Sequence, residues 1–244
     1  MYGTTINRFG ILIFLFFFSY SSVLVAAEKK GFLTPETSPN SLKILPVPPS
    51  EGSIAFLNDQ ADYEIGHTLK DNHREAQAVS DADYKNISGA FSEAFGEKIS
   101  QEKTPALYSL LQHVLQDSHD FAMREAKNHY KRVRPFVIYK DHTCTPEEDI
   151  KMATTGSYPS GHASFGWAAA LVLSEINPSR ENEILKRGYE FGQSRVICGA
   201  HWQSDVDNGR IMGSAVVATL HSNSEFNSAL ADAKQEFSHK KDNK

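Results

Sequence analysis

Apolar residues recur along most of this chain with a helical period. Leu107, Leu110, Leu111, Val114 and Leu115 fall at i, i+3, i+4, i+7 and i+8, the stripe of an amphipathic helix. That helix is expected to continue past Tyr130 and to end before Pro135, where proline removes a backbone donor. The stretch from Ala163 to Ile176 is apolar on all sides, with Gly166 its only breaker and Pro178 just beyond its end. Such a helix belongs at the centre of a core. Further helical runs are expected from Glu181 to Val196 and from Ile211 to Leu220, and the chain reads as helical from Asn58 onward. Alternating strand patterns with hairpin turns are scarce, and there is no internal repeat or low-complexity tract. The pattern predicts an all-α fold, a single-domain helical bundle with an extended proline-rich N-terminal arm.

The start of the chain breaks this pattern. Arg8 precedes an apolar run from Ile11 to Phe18, and Val25 and Ala27 fill the small-residue positions before Glu28. This reads as a secretory signal peptide over residues 1–27, cleaved after Ala27, rather than as an uncleaved anchor. The apolar run is short against the roughly 20 residues of a membrane span. Residues 28–53 form the arm, where Pro35, Pro39, Pro46, Pro48 and Pro49 make up half of the chain's 10 prolines. Fixed φ angles and missing donors favour an extended segment over a helix. Such an arm either hangs free or lies along the body, and the text leans towards a flexible leader as far as Asn40. The helical domain is expected over residues 54–240.

Composition narrows the function classes without naming one. With 244 residues, 40% hydrophobic and 23% charged, the chain can bury a core without metal or disulfide staples. A formal net charge of -5 argues against a binder of nucleic acid polymers, and loss of Arg8 with the signal makes the balance more acidic. The 2 cysteines, Cys144 and Cys198, are too few for a disulfide scaffold or a Cys-rich zinc site. No His-Glu-x-x-His pattern or dense carboxylate–His cluster occurs, so no metal site and no cofactor is expected.

Three clusters bear chemistry. In the first, Lys127 and Arg134 stand seven residues apart just before Pro135, within about 20° on a continuous helix, with Lys131 near the same face. Cations stacked there would grip a dianion, although alone the run is first of all a solvated basic face. In the second, Tyr158-Pro159-Ser160-Gly161-His162 leads into the apolar helix. Ser160 fits an N-cap, Gly161 admits close backbone approach, and the helix N-terminus is an anion site with His162 beside it as a proton donor. A plain capped turn with a surface histidine fits equally well. In the third, Arg195 and His201 lie six residues apart and would diverge on a continuous helix, but Gly199 offers a break. Ser204 with Asp207 resembles a capping box, and a helix–loop–helix turn would gather Arg195, His201 and Asp205. His with a carboxylate sets an imidazole tautomer, here or in a purely structural pair.

Taken in order, Lys-x6-Arg-Pro, Pro-Ser-Gly-His and Ser-Arg-x5-His-x3-Asp resemble the signature of the type 2 phosphatidic-acid phosphatase superfamily. The segments Leu45–Pro49, Phe56–Gln60, Gly156–His162 and Asn182–Glu190 look like class A bacterial non-specific acid phosphatases, and the likeness extends from Leu45 to Phe237. The resemblance implies a metal-independent acid phosphatase that hydrolyses monoesters with broad specificity through a phosphohistidine. Its substrates would be nucleotides, sugar phosphates and aryl phosphates, with phosphotransferase activity on the side. By position His201 is the nucleophile, Asp205 its carboxylate partner and His162 the general acid. Lys127, Arg134, Ser160, Gly161 and Arg195 match the phosphate ligands, whereas Lys131 is outside the signature.

The same resemblance implies a periplasmic or secreted homo-oligomer with no stable membrane insertion after signal cleavage. It implies a Cys144–Cys198 disulfide, against the alternative of two buried thiols. That bond would close a loop of about 54 residues and contribute roughly 4 kcal/mol in the chain-entropy model. Two departures stand out: Ala163 where the family usually has Thr, and Val47 where it more often has Pro. The rival readings are a vanadium haloperoxidase, which shares the fold and anion site, and a non-enzymatic phosphate-binding module.

Overall fold

The structure, a computed structural model, describes residues 31–69 and 72–242, and the expected signal segment 1–27 falls outside them. Among the described residues there is no strand, in keeping with the all-α reading. In chain order the helices are α1 (Ser41–Ile44), α2 (Ile54–Thr68), α3 (Asn72–Ala82), α4 (Ile87–Phe95), α5 (Pro105–Gln116) and α6 (Arg124–Tyr130). They continue as α7 (Pro135–Tyr139), α8 (Pro146–Ala153), α9 (Gly161–Ile176), α10 (Glu181–Ile197), α11 (Gln203–Leu220) and α12 (Ser224–Asp242).

The all-round apolar segment is the central helix α9. Its Phe165, Ala168, Ala170, Val172 and Leu173 are buried, and it packs mainly against α10 and α11, with α4, α5 and α12 completing the surround. Close approach by α11 depends on two residues without side chains. A Cβ on Gly209 would strike the carbonyl oxygen of Ser160, and one on Gly213 that of Ser164. The first turns of α9 and α11 therefore lie side by side, tied by a Ser160 N–H bond to the Asp205 carbonyl at 2.9 Å. That contact matters below, because both helix starts carry expected site residues.

Helix α5 buries the stripe expected of it, Leu107, Leu110, Leu111 and Val114, behind Pro105 in its first turn. The long helix expected past Tyr130 does not form. Asp117–Phe121 makes a π turn, α6 stops at Tyr130, and Lys131 takes a left-handed φ of 46°. Two causes lie in long-range and side-chain bonding. The Asp117 carboxylate turns inward to accept the N–H groups of Phe32 at 2.9 Å and Leu33 at 3.0 Å. Ser118 bonds back to the Val114 carbonyl, which bends a helix. Periodicity cannot register a single-turn bulge of this kind.

Those bonds also overturn the flexible leader expected as far as Asn40. Phe32 packs on His113 and Phe226, its carbonyl accepts from Asn223 Nδ2 at 2.9 Å, and Leu33 is buried. The arm is not wholly extended either, since Asn40 caps the one-turn helix α1 through the N–H groups of Leu42 and Lys43. Further along, the Pro46 carbonyl accepts from Tyr158 Oη at 2.7 Å. The arm from Gly31 to Ser53 thus lies along the body.

Candidate active site

A cavity of about 400 Å³ opens at the N-terminal end of α9. Its walls include Lys127 from α6, Arg134 at the start of α7, Gly161 and His162 from α9, Arg195 from the last turn of α10, and His201. Lys127 and Arg134 meet there, but not on one helical face. The chain breaks at Lys131, and Arg134 arrives as the residue before α7. Lys131 is exposed and lies outside the cavity wall. In a wider cleft of about 540 Å³ beside α10, Arg187 pairs with Asp81 and Lys186 with Glu190.

Arg134 and Arg195 are buried, and Arg195 keeps unspent donors. Arg195 is 1% exposed, and its Nε and Nη1 have no hydrogen-bond partner. Buried donors left open in this way mark a place built for an acceptor. Arg134 is anchored by Nε to the Met152 carbonyl at 2.9 Å and by Nη1 to that of Ala200 at 2.9 Å. Lys127 Nζ donates to the Gly156 carbonyl at 2.9 Å. Burial, reinforced by Arg134, pulls the Lys127 ammonium down to about 7. Burial, with Arg195 nearby, brings Arg134 to about 10. Burial likewise brings Arg195 to about 10, against the opposing pull of Glu148 and Asp81. An anion in the cavity would relieve all three.

His201 stands in the loop between α10 and α11. Gly199 provides the break expected of it, with φ of 66°. The imidazole is held at both nitrogens. Nε2 lies 3.0 Å from Arg134 Nη1, and a guanidinium can only donate, so Nε2 carries the lone pair. Nδ1 faces Asp205 Oδ2 at 3.4 Å and Ser157 Oγ at 3.3 Å, and carries the proton. Burial first, then Arg134, Lys127 and Arg195, holds the His201 pKa well below its ordinary range. The result is a neutral imidazole whose basic nitrogen faces the cavity cations.

Asp205 is fully buried and satisfied on every side. Oδ2 accepts from Ser157 Oγ and from the Trp202 N–H at 2.9 Å, and Oδ1 accepts from Arg132 Nη1 at 2.6 Å. This changes the expected cap of α11. Ser204 and Asp207 do not form a capping box. The helix begins two residues earlier, with Trp202 as N-cap and Asp205 reaching back to its N–H, while Ser204 Oγ donates to Asp59 at 2.6 Å.

His162 occupies the second position of α9, stacked on Phe191 with Phe165 and the edge-on Tyr84 around it. Its Nε2 lies 3.1 Å from the Ala82 carbonyl, so Nε2 carries a proton and Nδ1 is the nitrogen that can gain one. Burial, Arg195 and His119 push its pKa well below the ordinary range. Ser160 is the N-cap expected, accepting the Ala163 N–H at 3.3 Å, but it is fully buried and does not line the cavity. The N–H groups of Gly161 and His162 precede the first intrahelical bond of α9. Ala163, the departure beside His162, packs against Val196 and Val206, where a methyl group suffices.

Cys144 and Cys198 are disulfide-bonded, with Cα atoms 4.9 Å apart. The bond ties the loop before α8 to the end of α10, three residues before His201. Sequence reasoning missed Asp59, Arg132 and Ser157 around Asp205, and Tyr84 and His119 at the cavity wall. Asp59, Arg132 and Ser157 all stood inside segments already singled out, but nothing in their spacing pointed to Asp205. Among the described residues no group of three or more His, Cys, Asp or Glu is placed to hold a metal ion. No described helix is long and apolar enough to cross a membrane.

Comparison with known proteins bears on this geometry. Residues 106–228 match the PAP2 superfamily. The chain is 54% identical over 200 residues to the non-specific acid phosphatase of Providencia stuartii, covering 81% of each chain. It is 43% identical over 217 residues to that of Salmonella typhi, covering 88% of this chain and 87% of the other. An acid phosphatase of Zymomonas mobilis is 37% identical over 198 residues, covering 80% and 75%. The stretch from Lys127 to Asp205, which supplies Lys127, Arg134, His162, Arg195 and His201 to the cavity, lies wholly inside the matched region, and the chain belongs to the PAP2 superfamily, among its non-specific acid phosphatases.

Proposed function

We propose that this acid phosphatase hydrolyses phosphate monoesters through a covalent phosphohistidine at His201. The observation that carries the reading is the neutral His201, its Nε2 turned to a cavity where Arg195 keeps two open donors. The phosphoryl oxygens would sit against Lys127, Arg134, Arg195 and the free N–H groups of Gly161 and His162. His201 Nε2 forms the bond to phosphorus as the ester P–O bond breaks. The departing oxygen takes a proton from His162, and Asp205 meets the positive charge left on the His201 ring. In the second step water attacks phosphorus, gives a proton to His162, and the P–N bond breaks. An alcohol in place of water would give phosphotransfer. Burial first, and then Arg195, hold the His162 ring neutral, and a bound anion favours its protonation by offsetting Arg195.

Broad specificity follows from a cavity that grips the phosphate end, where the buried cations converge, far more firmly than the rest. Nucleotides, sugar phosphates and aryl phosphates would all fit this mode. Export to the periplasm or medium belongs to the same reading, supported by the signal-like residues 1–27 and by the disulfide. So does a homo-oligomer, for which exposed Ile54, Leu57 and Ile65 on one side of α2 offer apolar surface. The test is acid quench after mixing with a labelled monoester. Phosphate bound in acid-labile, alkali-stable form at His201 is expected, and His201→Ala should lose both it and turnover. Wild-type turnover in that variant would refute the assignment.

A further inference from the structure

Asp205 has to answer positive charge on His201, yet one of its oxygens is already taken by a guanidinium. Arg132 Nη1 and Asp205 Oδ1 are 2.6 Å apart, and neither side chain is more than 8% exposed. An isolated Arg132–Asp205 pair would be neutral overall and would leave the imidazole little field to work with. A third group changes this. Asp59, carried by α2 and 2% exposed, accepts from Arg132 Nη2 at 2.6 Å. Its oxygens also accept the Ser204 N–H at 2.8 Å and the Ser204 hydroxyl at 2.6 Å.

The cluster therefore holds two carboxylates and one guanidinium, a net single negative charge in a dry setting. The arrangement is also rigid. The guanidinium lies against the Phe56 and Trp202 rings, at 6.0 and 5.5 Å from their centroids. Ser204, held by Asp59, is the neighbour of Asp205 in the first turn of α11. With Oδ1 clamped by Arg132, Oδ2 is the oxygen presented to His201 Nδ1.

We infer that Asp59 and Arg132 are positioning residues of the phosphatase reaction, holding Asp205 with Oδ2 towards His201 and keeping the buried cluster one charge negative. This rests on the roles proposed for His201 and Asp205. It extends the catalytic support to α2, outside residues 106–228 that match the superfamily.

The experiment is steady-state and acid-quench kinetics on Asp59→Asn and Arg132→Lys with p-nitrophenyl phosphate, beside the wild-type enzyme. Asn keeps the shape of Asp59 and removes its charge. Lys keeps a charge but cannot span two carboxylates. For each variant kcat should fall about 10- to 100-fold while KM stays within about threefold, because the phosphate ligands are untouched. In Asp59→Asn the acid limb of kcat/KM should move to lower pH. Arg132 then carries unbalanced charge near His201, while Lys127, Arg134, Arg195, His162 and Asp205 around the ring are unchanged. A merely structural staple would give another result: KM rising in step with the loss of kcat, or an acid limb moving up as water enters. Either result, or an unchanged kcat, overturns the inference. If Asp59→Asn does not fold, Arg132→Lys is judged by the kcat and KM criteria alone. A wild-type enzyme without phosphohistidine would sink the proposed mechanism, whereas a normal wild type with unaffected variants would sink only this inference.

Discussion

Removing the Cys144–Cys198 bond separates what holds the fold from what shapes the site. The bond spans 54 residues. In the chain-entropy model a loop of that length constrains the unfolded chain by about 4 kcal/mol. Replacing both cysteines with alanine adds about 1 kcal/mol, because Cys198 packs against Ala78 and Ile197. For a domain of this size each kcal/mol moves the melting temperature by about 2–4 °C, so the double variant should melt roughly 10–20 °C lower. The site itself should survive near room temperature. The Gly199 carbonyl still accepts from the Phe136 N–H at 3.2 Å and the Ala200 carbonyl from Arg134 Nη1 at 2.9 Å. The N–H groups of Ala200 and His201 still bond to the Arg195 carbonyl, at 3.0 and 3.2 Å. Thermal unfolding by circular dichroism, on oxidised, reduced and double-alanine protein, measures the first effect, and kcat well below the transition measures the second. A melting shift under about 3 °C would refute the loop-entropy account. A collapsed kcat in folded protein would show that the bond, not the hydrogen bonds, shapes the His201 loop.

Other consequences can be checked separately. His162→Ala should slow alkyl phosphates by about 100-fold or more and p-nitrophenyl phosphate much less, and equal losses on both would remove its role as proton donor. Since Lys127 is pulled down to about 7, it is charged below that pH and neutral above it. Competitive inhibition by inorganic phosphate, corrected for phosphate ionisation, should therefore weaken as pH rises through neutrality, and Lys127→Met should lose that limb; a wild-type profile without it would contradict the reading. Gly213→Ala places a methyl group on the Ser164 carbonyl and should cost about 1–3 kcal/mol in urea unfolding, whereas an unchanged midpoint would mean α11 can slide on α9.

Much of the site was legible because its residues act through local geometry. Ser160 caps α9, and Gly199 ends α10 in the left-handed region, as their types and positions imply. What was not legible depends on distant partners. Lys127 and Arg134 converge for a different reason from the expected one, since Lys131 breaks the helix that would have aligned them. The cap of α11 was misplaced by the same kind of contact: Ser204 was already engaged by Asp59, 145 residues away. Arg132 looks like one more base in a basic run until its partners 73 residues off are known.

By itself the sequence determined the helical content, the central place of the stretch from Ala163 to Ile176 and the identity of the residues carrying the superfamily signature. Those features rest on periods of three to four residues and on motif order, which a linear text records in full. The tertiary structure alone decided the π turn after α5, the docking of Phe32 and Leu33 on Asp117, and the Asp59–Arg132–Asp205 cluster behind His201. Each of these is the settlement of a buried polar group by a partner far along the chain. Burial makes an unpartnered carboxylate or guanidinium so costly that the backbone bends, breaks a helix or ties down an arm to supply one.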